Sequence, residues 1–208
     1  MIDVKKDLML PYAPMPIGVR KQFYPPPANC VLYLPGYPPL GASIIDQSDN
    51  ANNGTIYGAT WARLSGGLWV LDYDGIDDYT EVAAHASINF TNPISAEFWV
   101  KLDSTAANYP IGKLYSTAWA IELSTIVTIK GVFGGTYQAT HAVTAASTIA
   151  ANNWYHIVWT YDGTTSLIYI NGTSMAVTQT GSGALGQHAG LLWIGKRYDD
   201  GASKVDGK

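Results

Sequence analysis

Two short runs rich in β-branched and aromatic residues, 154–161 and 167–170, are each closed by a turn dipeptide, Asp162-Gly163 and then Asn171-Gly172. Asn, Asp and Gly tolerate φ > 0, which tight hairpin turns require, so the pair predicts antiparallel β-hairpins. Residues 94–102 alternate in the same spirit. Ile94, Ala96, Phe98, Val100 and Leu102 point one way, and Ser95, Glu97, Trp99 and Lys101 the other, as in a half-buried strand. Further strands are expected over 31–34, 55–61, 68–72, 79–82, 118–123, 127–133, 174–178 and 191–194. No amphipathic helix intervenes and no internal repeat is visible. Strands at this spacing predict an all-β, two-sheet antiparallel sandwich.

Composition agrees. Charged residues make up only 13% of the 208 against 47% hydrophobic, so the chain can bury a large core and must present a rather neutral surface. The formal net charge is −4 and no Lys/Arg run exceeds two residues, which argues against nucleic acid as a partner. A single cysteine, Cys30, excludes an intramolecular disulfide framework and reads as a small residue buried on an early strand. No stretch approaches the roughly 20 apolar residues of a membrane span. The N-terminus also shows no secretory signal, because Leu8-Met9-Leu10 is cut off by Pro11.

Residues 1–29 differ from the rest. Pro11, Pro14, Pro16 and Pro25-Pro26-Pro27 oppose helix interiors and central strands, and predict an extended, partly polyproline arm. Tyr12, Met15, Ile17, Phe23 and Tyr24 make this arm too apolar for a plain spacer, so it is expected to dock on its own domain or on a neighbour. Residues 30–208 form the β-domain.

Seven segments in order resemble the laminin G-like, concanavalin A-like jelly-roll domains, over about residues 31–196. They are Asp46-x-Ser48-x-Asn50-x-Asn52-Asn53-Gly54-Thr55, residues 71–82, residues 94–100, Trp154-Tyr155-His156-Ile157-Val158, Tyr161-Asp162-Gly163, Tyr169-Ile170-Asn171-Gly172 and Ile194-Gly195-Lys196. The resemblance implies two packed antiparallel sheets, binding to glycans or proteins, and often a structural calcium ion. It also implies a last strand beyond the Ile-Gly-Lys element, carrying an acidic residue and an aromatic. The chain stops at Val205-Asp206-Gly207-Lys208, so that strand is expected to be missing and an edge to lie open. A longer parent chain, a neighbouring copy or the N-terminal arm would cover it.

Two acidic loops are the candidate metal sites: Asp46, Asp49, Asn50 and Asn52 in one, and Asp74, Asp77 and Asp78 in the other. Hard oxygen ligands at this spacing suit Ca²⁺. The alternative is Asx-turn chemistry, in which the same side chains bind their own backbone. Tyr109, Tyr115, Trp119 and Tyr137 lie in or beside expected loops and are the candidate sugar-stacking residues. Asn53, Asn89 and Asn171 begin Asn-x-Thr sequons and read as turn residues.

Catalysis is not expected. Related glucanases cluster carboxylates on one strand, but Glu81, Glu97 and Glu122 lie far apart in sequence. His85, His141, His156 and His188 show no metal-binding spacing, and His156 reads as a packed core residue. Gly181-Ser182-Gly183-Ala184-Leu185-Gly186 spells a dinucleotide fingerprint but lacks the βαβ context. The expectation is a non-catalytic recognition module at an extracellular, cell or particle surface, binding glycan or protein. The alternative is a structural component of an assembly such as a virion surface, with copies of itself or capsid-like subunits as partners. A glycoside hydrolase is a distant third.

Overall fold

Sixteen short strands follow one another in the computed structural model, which describes residues 29–35, 41–89, 91–114, 116–145, 148–197 and 204–208. The expected arm thus lies outside the described residues, except for Asn29, and so does Tyr115. In chain order the strands are β1 (Ser43–Ile44), β2 (Gly54–Tyr57), β3 (Thr60–Arg63), β4 (Trp69–Asp74), β5 (Tyr79–Val82), β6 (Ile94–Lys101), β7 (Asn108–Gly112) and β8 (Trp119–Leu123). They continue with β9 (Val127–Phe133), β10 (Thr136–Thr144), β11 (Trp154–Tyr161), β12 (Ser166–Ile170), β13 (Thr173–Ser174), β14 (Val177–Gln179), β15 (Leu192–Ile194) and β16 (Asp206–Gly207). One 3₁₀ turn, Ala86–Ile88, interrupts them.

A nine-stranded antiparallel sheet runs β1-β2-β5-β15-β7-β8-β9-β10-β14. Opposite it stand β13-β12-β11-β6 and β16-β4-β3, and a bridge between Leu102 and Gly207 links these two sets into one layer. Alternation builds the core between the layers. β6 buries Ile94, Ala96 and Val100 and turns Ser95, Glu97 and Trp99 outward, as its sequence predicts. Ile121, Ile129 and Phe133 from the nine-stranded sheet join Ile157, Trp159, Tyr161 and Ile168 from the other layer in one buried cluster. Trp119 and Trp159 bring their rings to 5.5 Å. Burial at roughly 25 cal/mol per Å² of apolar area makes this cluster the main stabiliser.

Residues 154–174 fold as expected into consecutive antiparallel pairs. Asn171 and Gly172 take positive φ (51° and 77°) in the β12–β13 turn. Asp162 Oδ1 accepts the N–H groups of Thr164 and Thr165, each at 2.7 Å, and so rounds the β11–β12 turn.

The open edge expected at the C-terminus is filled by the chain's own last residues. β16 pairs with Tyr73 and Asp74 of β4, while Lys208 and Asp206 bond the backbone of Lys101 and Asp103 on the other side. The expected strand over 31–34 is not regular. That segment is held instead by side chains of the 46–52 loop, which replace a ladder. The single strand expected over 55–61 is two, β2 and β3, broken where Gly58 takes φ +74°.

Candidate functional site

The strand pleat sends Tyr57, Tyr79 and Trp193 to the outer face of the nine-stranded sheet, opposite the core side chains Ile56, Thr80 and Leu192. Tyr57 and Tyr79 sit directly across β2 and β5 and stack at 4.7 Å. Trp193 on β15 lies diagonal to Tyr79, with 5.3 Å between rings. Lys196 Nζ lies 3.8 Å from the Tyr79 ring centre and 4.0 Å from that of Trp193. Burial lowers the Lys196 pKa, which the Glu81 carboxylate beside it partly offsets. Such a cation held between two rings is a favourable arrangement in partly desolvated surroundings. Tyr57 is the open end of the ladder, 41% exposed.

The same face continues across β7, β8 and β9. Gly112 and Ala120 follow Trp193 in register, so the middle of this face is built of small residues, and both are buried. Beyond them Glu122 Oε2 takes a hydrogen bond from Tyr109 Oη and a salt bridge from Lys130 Nζ at 2.5 Å. Burial and the Glu122 carboxylate both raise the Tyr109 phenol; burial alone would lower Lys130, but Glu122 outweighs it and holds that ammonium charged. Tyr137 on β10 is 43% exposed, and its cross-strand partner Val132 also faces away from the core.

Of the four aromatics expected to bind sugar, Tyr137 is thus on the surface and Tyr115 lies outside the described residues. Trp119 and Tyr109 are corrected. Both belong to strands, not loops. Trp119 is buried against Trp159, and Tyr109 is covered while it braces Glu122 and Lys130. Tyr57, Tyr79, Trp193 and Lys196 were missed, although the alternation in β5 and β15 held the signal.

The first acidic loop is a backbone clamp. The buried Asp46 carboxylate accepts N–H bonds from Tyr33 and Ser48 through Oδ1, and the Asn52 N–H and the Ser48 hydroxyl through Oδ2. Burial would raise its pKa, but these donors win and lower it. Four donors around one carboxylate suit an anion and leave it no room for a cation. Asn52 is spent on Val31 and Ser87, Asn50 faces Ser48 and the Cys30 carbonyl, and Asp49 is exposed.

In the second loop, ligand atoms of Asp74, Asp77 and Asp78 lie within 4.8 Å of one another. Asp74 Oδ1 accepts from Ile76 and Asp77, and Asp78 Oδ2 from Asp74. Burial raises the Asp78 pKa and the charges of Asp74, Asp77 and Asp72 add to that, against the lowering Asp74 N–H bond. These three hard oxygen donors fit a divalent cation in kind, and supply fewer than the six to eight oxygens calcium takes.

The glutamates do not meet. Glu81 on β5 and Glu122 on β8 are three strand spacings apart, about 14 Å at ~4.8 Å each, while Glu97 lies on the other layer. Retaining glycosidases need carboxyls about 5 Å apart and inverting ones under about 10 Å. His156, expected in the core, instead stands on the outer face of β11, with Nε2 2.8 Å from Glu97. The core histidine is His141, buried and bonded at Nδ1 to Thr180 O (2.8 Å) and at Nε2 to Ser166 Oγ (2.9 Å).

The fold is an all-antiparallel β-sandwich whose nine-stranded sheet carries an aromatic and charged outer face. Residues 74–208 match the laminin G-type profile of the concanavalin A-like lectin/glucanases superfamily, and the chain belongs to that family. No curated protein sequence matches it. Among solved structures it is similar to the binding domain of Paraclostridial Mosquitocidal Protein 1, at 16% identity and TM-score 0.66, over 85% of this chain and 46% of that one. It is also similar to domain 4 of AbnA, an extracellular arabinanase of Geobacillus stearothermophilus solved with arabinotriose, at 16% identity and TM-score 0.54, over 78% and 81%. A botulinum neurotoxin serotype D/C binding domain matches at 14% identity and TM-score 0.56, over 84% and 45%. The chain spans about half the length of the toxin domains it matches. The superfamily takes in lectins and glucanases, and the two toxin neighbours are binding domains. No helix among the described residues is long and apolar enough to cross a membrane.

Proposed function

We propose that this chain is a non-catalytic carbohydrate-recognition module working at an extracellular, cell or particle surface. Its contact face is the outer face of the nine-stranded sheet. The observation that carries the reading is the Tyr57–Tyr79–Trp193 ladder with Lys196 between its rings and the exposed Tyr57 at its open end. Aromatic faces take the C–H surface of a sugar ring, and flanking charges such as Glu81, Lys196 and Lys130 bond its hydroxyls. The arabinotriose complex of the AbnA domain supports an oligosaccharide ligand over a small molecule. The complex of the botulinum neurotoxin DC binding domain with synaptotagmin II supports the second reading, a protein partner.

The test is a glycan array followed by calorimetry with the best hit, on the wild type, Tyr57→Ala and Tyr137→Ala. Both positions are exposed, so neither change threatens the fold. Loss of affinity by roughly tenfold in either variant supports the reading, since one stacked aromatic contact is worth about 1.4 kcal/mol. Binding unaffected by both, or no glycan hit at all, overturns it. The same reading assigns a structural calcium to Asp74, Asp77 and Asp78. Thermal melting with and without millimolar Ca²⁺, on the wild type and Asp77→Asn, tests that assignment.

A further inference from the structure

On the opposite side of the sandwich, β6, β11 and β12 turn a second aromatic surface outward. Trp99 is 63% exposed, although large aromatics are buried on average. Its ring stacks on His156 at 5.0 Å, and His156 in turn holds Glu97. The cross-strand register sets Glu97 beside Val158 and Val158 beside Tyr169, with Leu167 (41% exposed) one row further on. The surface is therefore an aromatic strip edged by Ser95, Thr160 and Lys101, with one outward carboxylate, 66% exposed, at its margin. Nothing in the glycan reading uses it.

The described chain begins at Asn29, and its Tyr33 is near enough to Glu97, at the margin of this strip, to feel its charge. Asn29–Pro35 runs along the 46–52 loop, and Val31, Leu32 and Leu34 pack on the core. Tyr33 lies within range of Glu97: burial, then Cys30, then the Glu97 charge raise its phenol. Twenty-eight residues precede this point, outside the described structure. From Tyr33 back to Pro25-Pro26-Pro27 is six to eight residues, a reach of about 20 Å at ~3.1 Å per residue of polyproline helix. Strands about 4.8 Å apart put β6, β11 and β12 well inside that reach.

Chemistry matches distance. Proline-rich segments are pre-ordered into polyproline helices, and these bind surfaces lined by Trp, Tyr and His. The segment carries Arg20-Lys21 just before Phe23-Tyr24-Pro25-Pro26-Pro27, a cationic pair to set against Glu97. We propose that residues 11–27 dock as an extended polyproline segment on the Trp99–His156–Tyr169 face of the same chain, with Arg20 and Lys21 against Glu97. The domain thereby covers its second aromatic face with its own arm and leaves the first free for ligand.

The test uses the full-length chain carrying Cys30→Ser and Tyr24→Cys, with a nitroxide spin label on the new thiol and ¹⁵N-labelled tryptophan indoles. Trp99→Phe assigns the relevant signal. The expected result is that the label at least halves the Trp99 indole intensity and affects the Trp193 indole, on the outer face of the other layer, far less. Glu97→Lys restores the intensity, and adding Arg20→Glu with Lys21→Glu removes it again. An intensity insensitive to the label overturns the proposal. So does loss seen only when ¹⁵N-labelled chains are mixed with separate spin-labelled unlabelled chains, because the occupant is then a second copy. An intact spectrum for the other indoles in each variant shows that the fold has survived.

Discussion

Lys101 and Lys208 exchange both of their backbone hydrogen bonds, N–H to O at 2.7 Å one way and 2.8 Å the other. The end of the chain is thereby stitched into the sheet between β6 and β4. Lys208 Nζ adds a 3.0 Å contact to Asp72, a partly exposed pair of small individual worth. The ladder, not this ion pair, carries the closure, because it satisfies edge N–H and C=O groups that would otherwise be left unpaired.

Gly207 makes this closure possible. Its φ is +142°, and a Cβ there would stand 2.1 Å from the Lys101 carbonyl and 2.9 Å from Leu102 Cα. Both are backbone atoms that cannot swing aside. Gly207→Ala should therefore cost at least about 2 kcal/mol, within the range for strain at a special backbone position. Urea denaturation reads this as a lower midpoint with an unchanged slope. A midpoint equal to wild type would mean that the C-terminal strand contributes nothing to the fold.

Asp46 organises the 46–52 loop. Asp46→Ala leaves the N–H groups of Tyr33, Ser48 and Asn52 without their acceptor, and an orphaned buried donor costs about 1–3 kcal/mol. A total near 3 kcal/mol is expected, with the 29–35 segment loosened first. The folded pKa of Asp46 is lowered, so its stabilisation is full above the ordinary carboxylate range and is lost as pH falls through the folded value. Acid denaturation of Asp46→Asn should accordingly be shallower than that of wild type in that window. Amide exchange at Tyr33 and Asn52, faster in Asp46→Ala than elsewhere in the chain, would locate the effect.

How far the sequence could be read depended on whether a signal was local. The hairpins at 154–174 and the alternation in β6 follow from residue order alone, and so does the assignment to a sandwich. β7 escaped because Pro110 lies inside it, at an irregular step in the ladder between Asn108 and Ile111. β10 escaped because Thr136–Thr144 is polar and half its side chains are exposed. The C-terminal strand was read as missing because two paired residues, Asp206 and Gly207, have no periodicity to detect. The site was harder still. Tyr57, Tyr79 and Trp193 belong to three strands that become neighbours only through the β2-β5-β15 order, which no local pattern encodes. His156 reads as a core residue because it sits inside a strand, and the register of β11 turns it outward instead. A one-residue step along a strand moves a side chain to the other face, and that step decides its role.

Within the proposed contact face, side chains should differ in effect according to their exposure. Tyr57→Ala removes the open end of the ladder and should weaken binding roughly tenfold while shifting the melting temperature little. Lys196→Met keeps the aliphatic stem between Tyr79 and Trp193 but removes the charge. It should lower affinity and flatten the dependence of affinity on salt, since screening acts on charge alone. Trp193→Ala takes out a buried ring and should cost 3 kcal/mol or so of stability as well as binding. Calorimetry and melting curves on the same three variants separate these effects. Equal losses of affinity and stability in all three would point to unfolding and away from a shared contact face.

His141 should dominate the response of the fold to mild acid. Its ring is fully buried, stacked on Phe133 and edge-on to Tyr161. His141 Nδ1–H donates to the Thr180 carbonyl, and Ser166, which accepts from Trp159 Nε1, donates its hydroxyl to Nε2. That network suits one neutral tautomer and has no place for a second ring proton. Burial lowers the pKa from 6.5 to about 4, against a smaller raising effect of the Thr180 carbonyl. The unfolded chain therefore takes up this proton first as pH falls. Stability is full above about pH 6.5, declines between there and about 4, and is lower by about 3 kcal/mol below, at 1.36 kcal/mol per pKa unit. Urea midpoints measured every half unit from pH 7 to 4 should trace this fall. His141→Gln, less stable at pH 7 through its poorer ring packing, should show a nearly flat profile over the same range. A wild-type profile as flat as that of the variant would mean that His141 does not remain neutral in the folded core.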